Sequence, residues 1–152
     1  MTDNIIGALR AYFLTCPLLG ESRIGVDYLA ERGRGGTEYS IDTTPATEIV
    51  KRYTDGSSIR QYLFVLRSVN DYGPDVLQNM ANSGFYERLS AWLEEQSKAR
   101  KLPALPPGKT AQRIEAQSTG YLFTAGPDVG RYQIQCRLQY FQVDPVGFVD
   151  NI

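Results

Sequence analysis

Few residues in this chain have the types and spacing that chemistry requires. Gly108-Lys109-Thr110 matches the end of a phosphate-binding loop. The complete loop wants a glycine five positions before Gly108, a strand ahead of it and a helix behind it. Pro103 holds that position, a proline-rich connector precedes and an extended pattern follows, so nucleotide binding is not expected. Gly33-Arg34-Gly35-Gly36 offers backbone to an anion, but no helix N-terminus follows to add its dipole. A mobile surface loop is the better reading; if the loop has a function, ordering on contact with a protein partner is the one expected. Glu94 with Glu95, and Asp42 with Glu48, are paired carboxylates on a wet helical face and beside a strand, where solvation accounts for them.

Histidine is absent, which removes the commonest general base and metal ligand. Ser97 is followed directly by Lys98, so no Ser-x-x-Lys pairing activates a nucleophile. No Cys/His or Asp/Glu cluster has metal-ligand spacing. Cys16 and Cys136 are expected as small buried hydrophobes in a reducing compartment; whether they join in a disulfide is not readable from the sequence. The residues therefore assign no catalytic, cofactor-binding or metal site, and the chain is not expected to be an enzyme. The enzyme alternative, a small carboxylate-dependent hydrolase, would need a pocket holding two acids, one with a shifted pKa.

The elements that would position an interaction surface are clearer. With 152 residues the chain is the size of one domain, read as residues 1–143 with a C-terminal tail at 144–152. Net charge of −1 argues against nucleic acid as the main ligand and leaves little repulsion between copies. No stretch approaches the roughly 20 apolar residues of a membrane span. Met1-Thr2-Asp3-Asn4 lacks the basic start of a signal peptide, so a cytosolic protein is expected.

Residues 2–16 predict an amphipathic helix capped by Thr2 or Asp3, with Ile5, Leu9, Tyr12 and Phe13 as its stripe and Pro17 ending it. Short strands follow at 24–29 and 38–42. A hairpin turns at Asp55-Gly56, and its return strand carries Tyr62-Leu63-Phe64-Val65-Leu66, apolar on both faces and so expected in the sheet interior. Pro74 opens a helical region begun by Val76, Leu77 and Met80. Asn82-Ser83-Gly84 is read as an interruption, with Ser83 recapping a second helix whose stripe is Phe85, Leu89, Trp92 and Leu93. After the connector at 102–108 comes a second hairpin, 111–124 against 131–143. The fold class is α+β: an antiparallel or mixed sheet of four or five strands, with an N-terminal helix and a central helix pair packed on it.

The last strand is the most informative. Tyr132, Ile134, Cys136, Leu138 and Tyr140 alternate with Arg131, Gln133, Gln135, Arg137 and Gln139, giving one core face and one polar face. Glutamine and arginine bind through hydrogen bonds but do no acid–base work near neutral pH. Gln133, Gln135, Arg137 and Gln139 are therefore candidate interface residues. Arg32 and Arg34 of the glycine-rich loop and Phe148 of the apolar tail join them. Tyr121 and Phe123 are opposite in phase to Leu122, so one of the two phases must face outward.

The order of several segments resembles the small minor tail proteins of tailed phages and prophages. Those segments are Asp55-Gly56-Ser57 before Ile59-Arg60-Gln61-Tyr62-Leu63-Phe64, Asn82-Ser83-Gly84-Phe85-Tyr86-Glu87-Arg88-Leu89 with Trp92-Leu93-Glu94-Glu95-Gln96, Leu102-Pro103-Ala104-Leu105-Pro106, and Gly130-Arg131-Tyr132-Gln133-Ile134-Gln135-Cys136. The likeness covers residues 1–143 and is similar to tail terminators. It implies an α+β subunit forming a homohexameric ring on the last ring of tail-tube protein and offering its other face to a head-completion protein. It implies a place in the virion at the head–tail junction, assembly in the host cytoplasm, and no cofactor or catalytic residue. Other minor head–tail connectors or tail components of the same neighbourhood remain the alternative.

Overall fold

The computed structural model describes residues 4–19, 24–27, 38–126 and 129–143. Helix α1 spans Ile5–Phe13, and Asn4, not Thr2 or Asp3, caps it: the Asn4 carboxamide oxygen accepts from the Gly7 N–H at 2.9 Å. The helix stops at Phe13, before the predicted residue 16, and a turn leads on to Cys16. Strands β1 (Ile24–Val26), β2 (Glu38–Thr43), β3 (Ile49–Arg52) and β4 (Ser58–Asp71) follow. The Asp55-Gly56 turn joins β3 to β4 as predicted. Gly56 takes φ 91°, open to glycine at no steric cost, and the Asp55 carboxylate accepts from the Ser57 N–H at 2.9 Å. Those Ser57 hydrogen bonds hold the Asp55 carboxyl below its ordinary pKa.

The predicted central helix pair is one helix, α2, running Val76–Lys98 without a break. Asp75 caps it through the Leu77 N–H at 3.0 Å, so Pro74 lies before the helix and not in its first turn. Asn82 stays helical because its side chain finds a partner on the helix itself: its carboxamide oxygen accepts from Gln78 Nε2 one turn back, at 2.8 Å. Packing then overrides the low helix propensity of Asn82-Ser83-Gly84.

The predicted strand 111–124 is likewise two strands, β5 (Lys109–Ala116) and β6 (Tyr121–Ala125), before β7 (Val129–Gln142). Gly120 ends the gap between them. A Cβ there would lie 2.3 Å from Tyr86 Cβ, so only glycine lets the chain pass this close to α2. This split, and the three-residue β1, raise the strand count among the described residues to seven from the expected four or five. The α+β class stands.

The sheet is built on β4 and β7, two 14-residue strands paired antiparallel from Ser58↔Gln142 to Asp71↔Val129. On the far side of β4 lie β2 and β3, with β1 parallel to β2. On the far side of β7 lie β5, beside residues 136–142, and β6, beside residues 130–133. The apolar run in β4 is thus central, as its sequence predicts.

Both helices pack on one face. Phe13 meets Phe64 edge-on, Tyr12 and Phe13 meet Trp92, Phe85 meets Tyr39, and Tyr86 stacks on Tyr132. Leu9, Leu89, Leu93, Ile114, Ile134 and Leu138 are fully buried between them. Buried hydroxyls are partnered: Tyr86 with Ser68 at 2.6 Å, and Tyr12 donating to the Lys101 carbonyl at 2.8 Å. Cys16 and Cys136 are free thiols buried in this layer.

Candidate interaction surface

The outer face of the sheet, away from the helices, carries the odd-numbered residues of β7. Strand alternation is as predicted: Tyr132, Ile134, Cys136, Leu138 and Tyr140 are all buried inward. The polar phase is less free than alternation alone implies. Gln133 is only 6% exposed. Tyr121 of β6, its register partner, covers it, and Gln133 Nε2 donates to the Tyr121 hydroxyl. Gln133 is therefore largely covered within its own chain. Arg137 is held on both sides, Nε donating to Gln61 Oε1 at 2.9 Å and Nη1 lying 3.3 Å from Glu115. Gln139 Nε2 donates to Gln112 Oε1 at 3.0 Å. Gln135 is the one candidate of this strand whose side chain is exposed. Arg32, Arg34 and Phe148 lie outside the described residues.

The same strands contribute groups that β7 alone does not reveal. Arg67, the register partner of Gln133, reaches Asp42 at 3.1 Å and lies over the Phe123 ring at 5.5 Å. Arg60 binds Glu48 at 2.6 Å, and Arg113 binds Glu115 at 2.9 Å. Asp42 and Glu48 are thus each matched to a different arginine and do not converge. Among the described residues, no group of three or more Cys, Asp or Glu side chains could hold a metal ion.

Two open depressions of about 540 Å³ each lie between α2 and the β5–β6 side. Glu94 and Glu115 line the first, but Lys98, Arg100 and Arg113 line it too. Glu94 is 3.8 Å from Lys98, so the two acids face cations and not a reacting centre. Burial pushes the Cys136 thiol and the Tyr39 phenol each up to about 12, and raises Tyr86 and Tyr12 as well. All stay protonated near neutral pH and are poor nucleophiles.

The flank of β7 divides into two unlike stretches. Along β5 the edge is closed by α2: the Ser97 hydroxyl donates to the Ile114 carbonyl at 2.7 Å and accepts from the Ile114 N–H at 3.0 Å. Along β6 nothing among the described residues pairs with the outer edge, and every residue of the strand is exposed. Tyr121 lies on the outer face with Gln133, Leu122 on the helix side with Tyr132, and Phe123 at the bulge between paired positions.

Exposed apolar residues gather at the two ends of the β4–β7 pair. At the Asp71–Val129 end are β6, with Phe123 51% exposed, and the first turn of α2, with Val76, Leu77 and Met80 at 67%, 77% and 63%. At the Ser58–Gln142 end are Val50 and Tyr53 beside β3, with Val143 just past β7. The sequence carried a signal for the first group. At about 100° per residue, Val76 and Met80 sit roughly opposite the Phe85–Leu89–Trp92–Leu93 stripe.

No protein-family model matches the chain, and no curated protein matches it. Among the described residues no helix is long and apolar enough to cross a membrane.

Proposed function

We propose that this chain is a structural assembly protein, a tail terminator of a tailed phage or prophage. In this reading it forms a homohexameric ring that caps the head-proximal end of the tail tube, with tube protein on one face and a head-completion protein on the other. It acts in the virion at the head–tail junction after assembly in the host cytoplasm, without cofactor or catalysis.

The observation that carries the reading is the pair of unlike apolar surfaces at opposite ends of one rigid sheet. A closed ring is a heterologous assembly: each subunit presents two different complementary patches, and rotation closes the circle. A self-complementary dimer would need only one. The outer-face arginines Arg67, Arg113 and Arg137 lie against Asp42 or Glu115, which supports a binding role over acid–base chemistry. The order of segments resembling minor tail proteins supplies the place in the virion. In this reading capping is the mechanism: the ring covers the growing end of the tube and replaces it with a surface that no further tube subunit fits.

Negative-stain electron microscopy of the purified protein, and of tubes mixed with it, is the direct test. Six-fold rings at one tube end are expected. Deleting the gene should give abnormally long tails that fail to join heads; tails of normal length joined to heads in its absence would reject the proposal.

A further inference from the structure

We infer that β6 of one copy pairs antiparallel with the outer edge of β1 of the next, so that one sheet runs on from copy to copy. This rests on the self-association proposed above, though not on six-fold symmetry.

Register places the two strands at opposite rims of one band. Ile24 pairs with Tyr39, Tyr39 with Ser68, Ser68 with Tyr132, and Tyr132 with Leu122. At this level the order across the sheet is β1-β2-β4-β7-β6, and among the described residues no strand lies outside either rim. Main-chain groups point outward on both. The Asp27 N–H donates to the Ile41 carbonyl at 3.0 Å, so the Val26 carbonyl, on the other side of the same peptide, faces away from β2. On β7, the Gln135 N–H donates to Ser118 Oγ and its carbonyl accepts from the Gln117 N–H. By alternation Gln133 directs its own pair of groups toward Tyr121, and Leu122, one residue on, directs its pair away from β7.

Of the four flanking strands, only these two lack the features that discourage a mate. β3 bears the exposed Lys51 and Arg52, and β5 bears Lys109 and Arg113 and is latched by Ser97. β1 reads Ile24-Gly25-Val26 and β6 reads Tyr121-Leu122-Phe123-Thr124-Ala125, with no charge in either. One group of β1 is engaged: the Ile24 carbonyl accepts from Arg10 Nε at 2.8 Å, which leaves the Val26 end to the contact. Val26 and Leu122 are each 37% exposed. Both lie on the helix side, level with Ile41 and Tyr132.

Strand sense selects β1 as the mate. β4 and β6 run one way, and β1, β2 and β7 run the other. Rotation about an axis along the strands keeps these senses, so β6 meets a neighbour's β1 antiparallel, with helix side beside helix side. Strict alternation across the band would have made its rims run the same way and the contact parallel, the slightly weaker pairing. The parallel step from β1 to β2 reverses this. Two β6 edges would meet antiparallel only about a two-fold axis, which closes at a dimer and builds no ring.

The test uses the full chain carrying Val26→Cys and Leu122→Cys together, oxidised gently at concentrations where the protein assembles; Cys16 and Cys136 are buried and contribute little background. The two sites lie about 19 Å apart across the band, too far for a disulfide within one molecule. A ladder of crosslinked species beyond the dimer is expected, with neither single variant exceeding a dimer. Leu122→Cys alone giving as much product as the pair would mean that β6 meets β6, and assembled particles without a ladder would mean that another contact holds them. Either result overturns the inference and leaves the ring proposal standing. A ladder from particles that are not six-fold does the reverse, and a protein that never self-associates overturns both. In parallel, Val26→Lys should raise the concentration needed for assembly by roughly tenfold, the scale of a lost interface anchor, without lowering the melting temperature. Adding Leu122→Glu should recover most of that loss; a double variant no better than Val26→Lys overturns the pairing.

Discussion

β5 and β6 flank the same strand, pair with it in the same sense, and end in opposite conditions. β5 is shut: α2 lies along it, and one hydroxyl satisfies both outward groups of Ile114. β6 is bare, with its side chains exposed and its outer backbone unpaired among the described residues. A raw strand edge invites another chain, and proteins blunt such edges where pairing is unwanted. Here the blunting stops at Gly120, where the chain passes under Tyr86 and emerges as β6. The difference leaves one stretch closed within the subunit and the other open among the described residues.

The largest expected effect comes from the side chain that separates the two stretches. Tyr86 stacks on Tyr132, bonds to Ser68 and lies against Gly120. Tyr86→Ala should cost about 3–5 kcal/mol, as for other buried aromatics, and urea unfolding will read it. A loss below ~1 kcal/mol would mean that the β5–β6 junction is held by something else.

Alkali should loosen the layer beneath both stretches. The Cys136 thiol is raised by burial from 9.0 to about 12. A group whose folded pKa is raised contributes stability that is complete below the unfolded value and lost as pH rises through the folded one. The unfolding midpoint should therefore hold near neutral pH and fall between about pH 9 and 12. Cys136→Ala, compared with its own neutral-pH midpoint, should show a shallower fall; an unchanged slope would clear the thiol of any part in it.

Opening the shut edge is a smaller step. Ser97→Ala leaves the N–H and C=O of Ile114 without their partner, a loss of about 1–2 kcal/mol, and should increase aggregation measured by light scattering. Smallest in stability is Leu122→Lys, within roughly 0.5 kcal/mol of the parent because the side chain is exposed. It should reduce self-association in sedimentation velocity. The two variants thus move association in opposite directions. If both move it the same way, the contrast between the edges is wrong.

Much of this was legible in the residues. Alternation over residues 131–140 placed Ile134, Cys136 and Leu138 inward, and the two-faced apolar run placed β4 in the middle of the sheet. What alternation could not supply was the neighbour. Gln133 looks solvent-facing until the register sets Tyr121 over it, and Arg137 looks available until Gln61 and Glu115 close on it. Register is a property of two strands, and the gap that separates β6 from β5 closes on Gly120, a glycine whose reason lies on α2. The reading of Asn82-Ser83-Gly84 as a break failed for a similar cause. Local propensity is weak, and Tyr86, Leu89 and Leu93 gain burial only if the helix runs straight through. Conversely, the exposure of Val76 and Met80 follows from the angular phase of α2 alone, roughly opposite the Phe85–Leu89–Trp92–Leu93 stripe.

The long ladder between β4 and β7 also governs how the chain comes to be folded. Ser58 must find Gln142, and Asp71 must find Val129, across everything that α2, β5 and β6 contribute. Loops this large are costly to close before any contact rewards them, so the central pairing belongs to the late, slow part of folding. During synthesis β4 leaves the ribosome long before its mate exists. Until then its apolar run stands open on that side, and a ribosome stalled ahead of β7 would release a chain with its middle strand unmatched, ready to pair with whatever strand is nearest.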